Sequence, residues 1–143
     1  MDKKLDSTKS IEEKLINFRE IFEIFENPKD KFLQLMDMAK EQQPLDDKDK
    51  IESNKIYGCS SQAWVIAENH ENNIYTFRTD SDALIVKGLL QILEKIFNHQ
   101  KPENILSVNS QYILQTIGLE GSVTSQRNNG FSSAVNKIHK LVQ

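Results

Sequence analysis

One cysteine, Cys59, stands among the 143 residues of the chain, in the stretch Ile56-Tyr57-Gly58-Cys59-Ser60-Ser61-Gln62-Ala63-Trp64. Gly58 allows a tight or left-handed turn just before the sulfur, and Ser60, Ser61 and Gln62 make the following segment polar. The apolar run that follows, from Ala63 to Ala67, predicts a buried strand, and Trp64 near its start is expected to lie in the hydrophobic core of the fold. The pattern therefore predicts that Cys59 lies on a loop tip beside a strand. A buried structural cysteine is the alternative, since free cysteine is among the most buried residue types.

The chemistry open to this thiol is limited by the rest of the chain. A cysteine reacts as the thiolate, of which only a few per cent is present at neutral pH when the pKa is about 8.5. One cysteine excludes an intramolecular disulfide, a dithiol oxidoreductase and an iron–sulfur scaffold, and the scattered His70, His99 and His139 complete no zinc site. A hydrolase would need a histidine beside the thiol, and the sequence pattern places none there. What remains is a thiol that receives a group from a partner and passes it on; sulfur suits this role because thiolates attack sulfur–sulfur bonds.

Composition describes an ordinary soluble chain of one domain, residues 1–143, with 38% hydrophobic and 27% charged residues. A net charge of −3 without a basic stripe argues against nucleic acid as the main partner. No apolar run approaches the roughly 20 residues of a membrane span. The charged N-terminus resembles neither a secretory signal nor a transit peptide, so we expect a cytoplasmic protein whose residues 1–10 are flexible.

The elements that must position the thiol begin with two amphipathic helices. Ser10 and Glu13 have the spacing of a capping box, and the apolar residues that follow recur at helical intervals up to Asn27-Pro28. Pro28 is placed to start a second helix that ends before Gln43-Pro44. The charged, aperiodic residues 44–54 predict an exposed connector.

Strand patterns and the remaining helices follow. Short strands are predicted at 55–57, 63–67 and 74–78, with a hairpin connection at 68–73 whose tip exposes His70. Asp80-Ser81-Asp82 offers N-cap chemistry for a long helix that is apolar nearly all round and should run through the centre of the fold. Gly88 in that helix predicts a close approach by the sheet. Shorter helices are predicted after Pro102 and from Ser110 to Gly118, and a final helix after the loop 124–130.

Three of these segments resemble the sequence blocks of the SufE family of sulfur-acceptor proteins. Residues 57–64 are similar to its Gly-Cys-x-Ser-x-Val-Trp signature, residues 80–88 to its second block, and residues 124–131 to its Thr-Pro-x-Arg-x-x-Gly-hydrophobic segment. The blocks occur in the family's order and spacing, and the resemblance runs from about residue 12 to the end. The departures are Ser60 for glutamine, Ala63 for valine, Thr79 for glycine and Ser125 for proline. They leave open which desulfurase the chain serves.

The resemblance implies an α+β fold, a small two-layer α/β sandwich in which an antiparallel sheet of about three strands packs against helices, as in SufE and NifU-like proteins. It implies that Cys59 takes persulfide sulfur from a SufS-like cysteine desulfurase, stimulates that enzyme and passes the sulfur to a SufBCD-like iron–sulfur scaffold complex. Gly58, Ser60, Ser61 and Gln62 would shape the loop, and Arg127 would stabilise the anionic sulfur or pair with an acid of the partner. No metal or cofactor of the chain's own is implied, because the pyridoxal phosphate belongs to the desulfurase.

Two other functions stay open from the residues. One is a stand-alone enzyme that uses Cys59 as a nucleophile, such as a hydrolase or peroxidase. The other is a regulatory partner that stimulates a desulfurase without carrying sulfur. Arg127 also has a simpler interpretation, as a surface arginine with no role at the thiol.

Overall fold

The computed structural model describes residues 9–58 and 61–143, which form six α-helices and two strands. Residues 1–8, part of the segment expected to be flexible, lie outside this range. The elements are α1 (Ile11–Phe22), α2 (Pro28–Glu41), β1 (Ala63–His70), β2 (Ile74–Ser81), α3 (Leu84–Phe97), α4 (Pro102–Leu106), α5 (Ser110–Ile117) and α6 (Ser125–Val142). None of the described helices has the length and apolar character needed to cross a membrane.

The first two helices start where their capping residues predict. The Ser10 hydroxyl accepts a hydrogen bond from the Glu13 N–H at 3.2 Å, and the Glu13 carboxylate accepts one from the Ser10 N–H. Asn27 caps α2, but α1 ends at Phe22, five residues before Asn27. The residue before a proline is held in an extended conformation, so α1 must end early enough for the chain to turn. Residues 23–26 form that turn, and Ile24 in it is 74% exposed.

The sheet is a single antiparallel pair in the described part of the chain. β1 and β2 pair from Ala63 opposite Ser81 to His70 opposite Ile74, so both strands are three residues longer than predicted. The predicted strand at 55–57 is reduced to one bridge, between Lys55 and Trp64. A 3-10 turn ends at Asn54 and the left-handed Gly58 follows, which leaves too few residues for a strand. The predicted α+β fold is confirmed, with two strands in place of three.

The outer edge of β2 is closed by α3 and the residues after it. The Phe77 N–H donates to the Asn98 side chain at 2.6 Å, and the Thr79 N–H donates to Glu94 at 3.1 Å. The Tyr75 N–H donates to the backbone carbonyl of Gln100. Burial raises the pKa of Glu94, although hydrogen bonds from Thr79 and Gln42 oppose this. Glu94 of α3, and Asn98 and Gln100 after it, thus accept hydrogen bonds from the N–H groups of an edge that a third strand would otherwise cover.

Helix α3 occupies the centre of the fold, as predicted, and packs on β2, α1, α2 and α6. Its apolar residues Leu89, Leu90, Ile92, Leu93, Ile96 and Phe97 are buried. The close approach at Gly88 comes from α2 and not from the sheet. A Cβ at Gly88 would lie 2.3 Å from the backbone oxygen of Leu35, so only glycine lets the two helices come this close.

Two predicted helix starts were wrong. β2 continues through Ser81, and the N-cap of α3 is Ala83, without a side-chain cap; Asp80 and Asp82 bond elsewhere. The segment 124–130, predicted as a loop, is instead the N-cap and first turns of α6, because the Thr124 hydroxyl accepts a hydrogen bond from the Arg127 N–H at 3.3 Å. This places Arg127 on a rigid helical turn.

Candidate functional site

The segment that carries the thiol is closed at its base. The Ile56 N–H donates to the Ala63 carbonyl at 2.8 Å, and both residues are buried. We call residues 57–62, between these two, the cysteine loop. Cys59 and Ser60, predicted as the sulfur carrier and a loop-shaping residue, lie outside the described residues.

Gly58 is required by conformation and by space. Its φ of +91° lies in the left-handed region, which side-chain-bearing residues rarely adopt. A Cβ at this position would lie 2.4 Å from the Ser133 Oγ and 3.3 Å from the Ser133 Cβ of α6. The sequence predicted the turn, and the structure adds the contact with α6.

The exit of the cysteine loop is bonded to the residues just before α3. The Gln62 N–H donates to the Asp82 carboxylate at 3.1 Å, and the Asp82 N–H donates to the Gln62 carbonyl at 3.1 Å. The Ser81 hydroxyl donates to the same carbonyl at 2.8 Å. Gln62 thus shapes the loop through its backbone, and Asp82 supports the loop where the sequence suggested a helix cap.

An open groove of about 460 Å³ lies beside the cysteine loop. Four parts of the chain meet there: the loop itself, α2, the first turn of α3 and the first turn of α6. The lining residues are Met36, Ser61, Ala83, Leu84, Ile85, Val86, Thr124, Gln126 and Arg127. A much smaller apolar cavity lies next to it, lined by Ile56, Ala63, Val86, Leu89, Leu90, Arg127, Gly130 and Phe131. The structure therefore brings Arg127 to the same surface as Ser61, and the closeness of Arg127 to the thiol stays a prediction.

The groove favours negative charge. The guanidinium carbon of Arg127 lies 5.8 Å from the centre of the Phe32 ring, in a cation–π contact that restrains the half-buried side chain. The N-termini of α3 and α6 also line the groove, and helix N-termini carry partial positive charge. An anion in the groove would be stabilised by this field.

Sequence reasoning missed the role of Asp80, whose side chain is only 4% exposed. The carboxylate accepts hydrogen bonds from the N–H groups of Leu45 at 3.0 Å and Ser81 at 2.8 Å, and it pairs with Lys50 at 3.3 Å and Lys87 at 3.5 Å. Burial raises the pKa of Asp80, but these hydrogen bonds and lysines outweigh burial, so the pKa lies below its ordinary value. Asp80 thereby ties the connector to the strand end that precedes the groove. Its partners in the connector, Leu45 and Lys50, are distant in sequence, so no local pattern could have shown this tie.

The histidines lie away from this site. None of the residues that line the groove or the cavity is a histidine. His70 is exposed, as predicted, and bonds the Thr76 hydroxyl at 2.7 Å. His70 and His99 border a separate groove at the hairpin end. The described surroundings of the loop therefore offer an arginine and helix N-termini, and no imidazole base.

Comparison with known proteins agrees with this fold. A model of the SufE family, described as an Fe-S metabolism associated domain, matches residues 16–142. An uncharacterized SufE-like protein of Synechocystis is 34% identical over 130 residues, covering 89% of this chain and 78% of that protein. One from Rhizobium etli is 30% identical over 122 residues, covering 83% of this chain and 82% of that protein.

A plant relative is longer than this chain. SufE-like protein 1, chloroplastic/mitochondrial, of Arabidopsis thaliana is 33% identical over 127 residues, which cover 89% of this chain but only 34% of the plant protein. Among solved structures, the solution structure of a hypothetical protein from Thermus thermophilus superposes with a TM-score of 0.71 at 21% identity. That match covers 90% of this chain and 93% of the other, and it shows a shared fold.

Proposed function

The chain belongs to the SufE family, and from this premise we propose that Cys59 accepts sulfur from the persulfide of a cysteine desulfurase. The family's domain is associated with Fe–S metabolism, so the sulfur would serve iron–sulfur cluster assembly. The chain acts as a carrier and stimulates the desulfurase by emptying its active cysteine. It does not catalyse turnover alone.

The transfer conserves atoms and electrons. The Cys59 thiolate attacks the terminal sulfur of the desulfurase persulfide, so a new sulfur–sulfur bond forms on Cys59 and the bond within the enzyme's persulfide breaks. The desulfurase cysteine leaves as a thiolate, and no external oxidant or reductant is consumed. The desulfurase is SufS-like and holds the pyridoxal phosphate, which supplies the chemistry that takes sulfur from L-cysteine.

The observation that carries the proposal is the position of the groove. The only cysteine of the chain belongs to a loop bonded at both ends, and the next described residue, Ser61, lines a groove with Arg127 and two helix N-termini. This arrangement favours an anionic sulfur, which both the attacking thiolate and the product persulfide carry. A stand-alone thiol hydrolase would instead need a base, and the residues lining the groove and cavity contain no histidine.

The onward step is proposed on the same basis. Sulfur passes from the Cys59 persulfide to a SufBCD-like iron–sulfur scaffold complex, when a thiol of the acceptor attacks the outer sulfur. We expect these steps to take place in the cytoplasm, without a cofactor bound to this chain.

Replacement of Cys59 tests the proposal against both other functions. Alanine production by a cognate desulfurase is measured with the native protein, with Cys59→Ser and with the control Glu71→Gln, which changes an exposed residue in the hairpin turn. We expect stimulation by the native protein and the control, and none by Cys59→Ser. Full stimulation by Cys59→Ser would identify a non-carrying regulator. Cys59-dependent turnover of peroxide or model esters without a desulfurase would identify a stand-alone enzyme.

A further inference from the structure

One face of α6 follows the chain into the cysteine loop. The Lys137 ammonium donates to the Ser53 carbonyl at 3.0 Å, and Ser133 meets Gly58. Further along, Gly130 lines the small cavity with Ile56 and Ala63. These α6 residues are three or four positions apart, so they share one side of the helix.

Gly58 lies against the side chain of Ser133. A single added carbon on Gly58 would overlap the Ser133 Oγ at 2.4 Å, while the Ser133 Cβ, at 3.3 Å, would be tight but tolerable. The hydroxyl of Ser133 therefore occupies the space that a side chain at position 58 would enter. Because α6 also carries Arg127, this contact joins the entry of the cysteine loop to the helix that bears the charge.

We propose that Ser133 is a positioning residue for sulfur transfer. Its side chain packs against Gly58 and so holds the entry of the cysteine loop on the helix that carries Arg127. The role of Ser133 in sulfur transfer rests on the function proposed above, whereas the Gly58–Ser133 contact can be tested without any partner protein. The role and the contact can therefore be disproved separately.

A double-mutant cycle isolates the contact between Gly58 and Ser133. Gly58→Ala adds the clash with Ser133 and also strains the left-handed backbone. Ser133→Ala removes the Oγ and keeps a good helix former. The backbone strain is the same whether serine or alanine occupies position 133, so it cancels in the cycle and only the steric coupling remains.

The readout is alkylation of the chain's only thiol by iodoacetamide across a pH series. Rates are measured for the native protein, each single variant and the double variant, with Ser132→Ala as the control beside Ser133. We expect Gly58→Ala to lower the rate at pH 7 and to raise the pH midpoint, because the loop moves away from Arg127. Ser133→Ala should restore the Gly58→Ala rate by about fivefold or more, a coupling in the range found for residues in contact.

Equal effects of Gly58→Ala in the two backgrounds would overturn the proposal, since Gly58 would then be needed for its backbone conformation only. If Gly58→Ala does not fold, the comparison is between the folding of this single variant and that of the double variant, followed by circular dichroism. A folded double variant supports the Gly58–Ser133 contact, and an unfolded double variant overturns the proposal. The alkylation assay contains no desulfurase. Coupling without persulfide formation would therefore reject the proposed function but support the Gly58–Ser133 contact. Persulfide formation without coupling would support the proposed function but overturn the role of Ser133.

Discussion

The position of Arg127 is fixed by contacts on two sides. Its N–H is held by the Thr124 cap, and its guanidinium lies over Phe32 of α2. A charge held this way costs less side-chain entropy when an anion arrives than a freely moving surface arginine would. Arg127 is the only charged residue among the described residues that line the groove, so under the proposed function it is the side chain that would stabilise an anionic sulfur.

Replacement of Arg127 should make Cys59 less reactive. For Arg127→Ala we expect the pH midpoint of iodoacetamide alkylation to rise by up to about one pH unit, since a nearby cation stabilises the thiolate. Arg127→Lys should retain part of the effect, because it keeps the charge but loses the planar contact with Phe32. Arg19→Ala, at an exposed position on α1, is the matched control. Identical profiles for Arg127→Ala and Arg19→Ala would show that Arg127 has no role at the thiol.

Single residues were predictable where the signal is local. The turn at Gly58, the cap at Ser10 and the helix start at Pro28 depend on neighbours within a few positions, and the structure shows all three. The contact of Gly58 with Ser133 joins residues far apart in sequence and left no pattern. Arg127 was singled out through the family resemblance, and Cys59 itself stays a prediction.

Among the elements, the connector depends on Asp80. The Leu45 N–H and Lys50 of the connector converge on this carboxylate, and Lys87 reaches it from α3. The pKa of Asp80 lies below its ordinary value. Ionised Asp80 therefore stabilises the native state above the unfolded-state pKa of about 4, and this contribution is lost as the pH falls through the lowered native pKa.

Asp80→Asn should destabilise the protein in a pH-dependent way. We expect a loss of about 1–3 kcal/mol in the free energy of unfolding at pH 7, typical of hydrogen bonds to a charged group. The difference from the native protein should shrink below about pH 4, where Asp80 becomes protonated in the unfolded state. Its charge-dependent part should be lost once the pH falls below the lowered native pKa, where Asp80 is protonated in the native state too. Urea unfolding at several pH values measures both. Asp37→Asn, at an exposed acid on α2, is the control, and a loss that stays constant from pH 7 to about pH 3 would contradict the assignment.

The contact of α2 with α3 gives a second prediction at this scale. Gly88→Ala should lower the free energy of unfolding by about 1–3 kcal/mol, because the added methyl group meets the Leu35 backbone oxygen and the helices must separate. The helix propensity of alanine alone would instead stabilise the protein by about 1 kcal/mol. The sign of the change, measured by urea unfolding, therefore decides between close packing and an open position.

Element types were more predictable than element ends. Periodicity located the central helix and the hairpin, since both signals come from buried residues at regular spacing. The start of α6 was missed because 124–130 is rich in asparagine, glycine and serine, which favour loops unless a cap and tertiary packing override them. The third strand failed because turns on both sides of Lys55 and Ile56 leave it too short.

In the whole molecule, α3 contributes both to the hydrophobic core and to the groove beside the cysteine loop. Its middle packs in the core, its far end closes the edge of β2 through Glu94 and Asn98, and its first turn lines the groove. The helix that holds the fold together therefore also directs its positive end toward the cysteine loop. Changes that loosen the contacts of α3 should affect the reactivity of the thiol as well as stability.

The most direct measurement is the mass of the protein after incubation with a cognate cysteine desulfurase and L-cysteine, without reductant. We predict added sulfur on the peptide that contains Cys59, and none when the desulfurase or L-cysteine is left out. Active desulfurase together with an unmodified Cys59 peptide would contradict the carrier function.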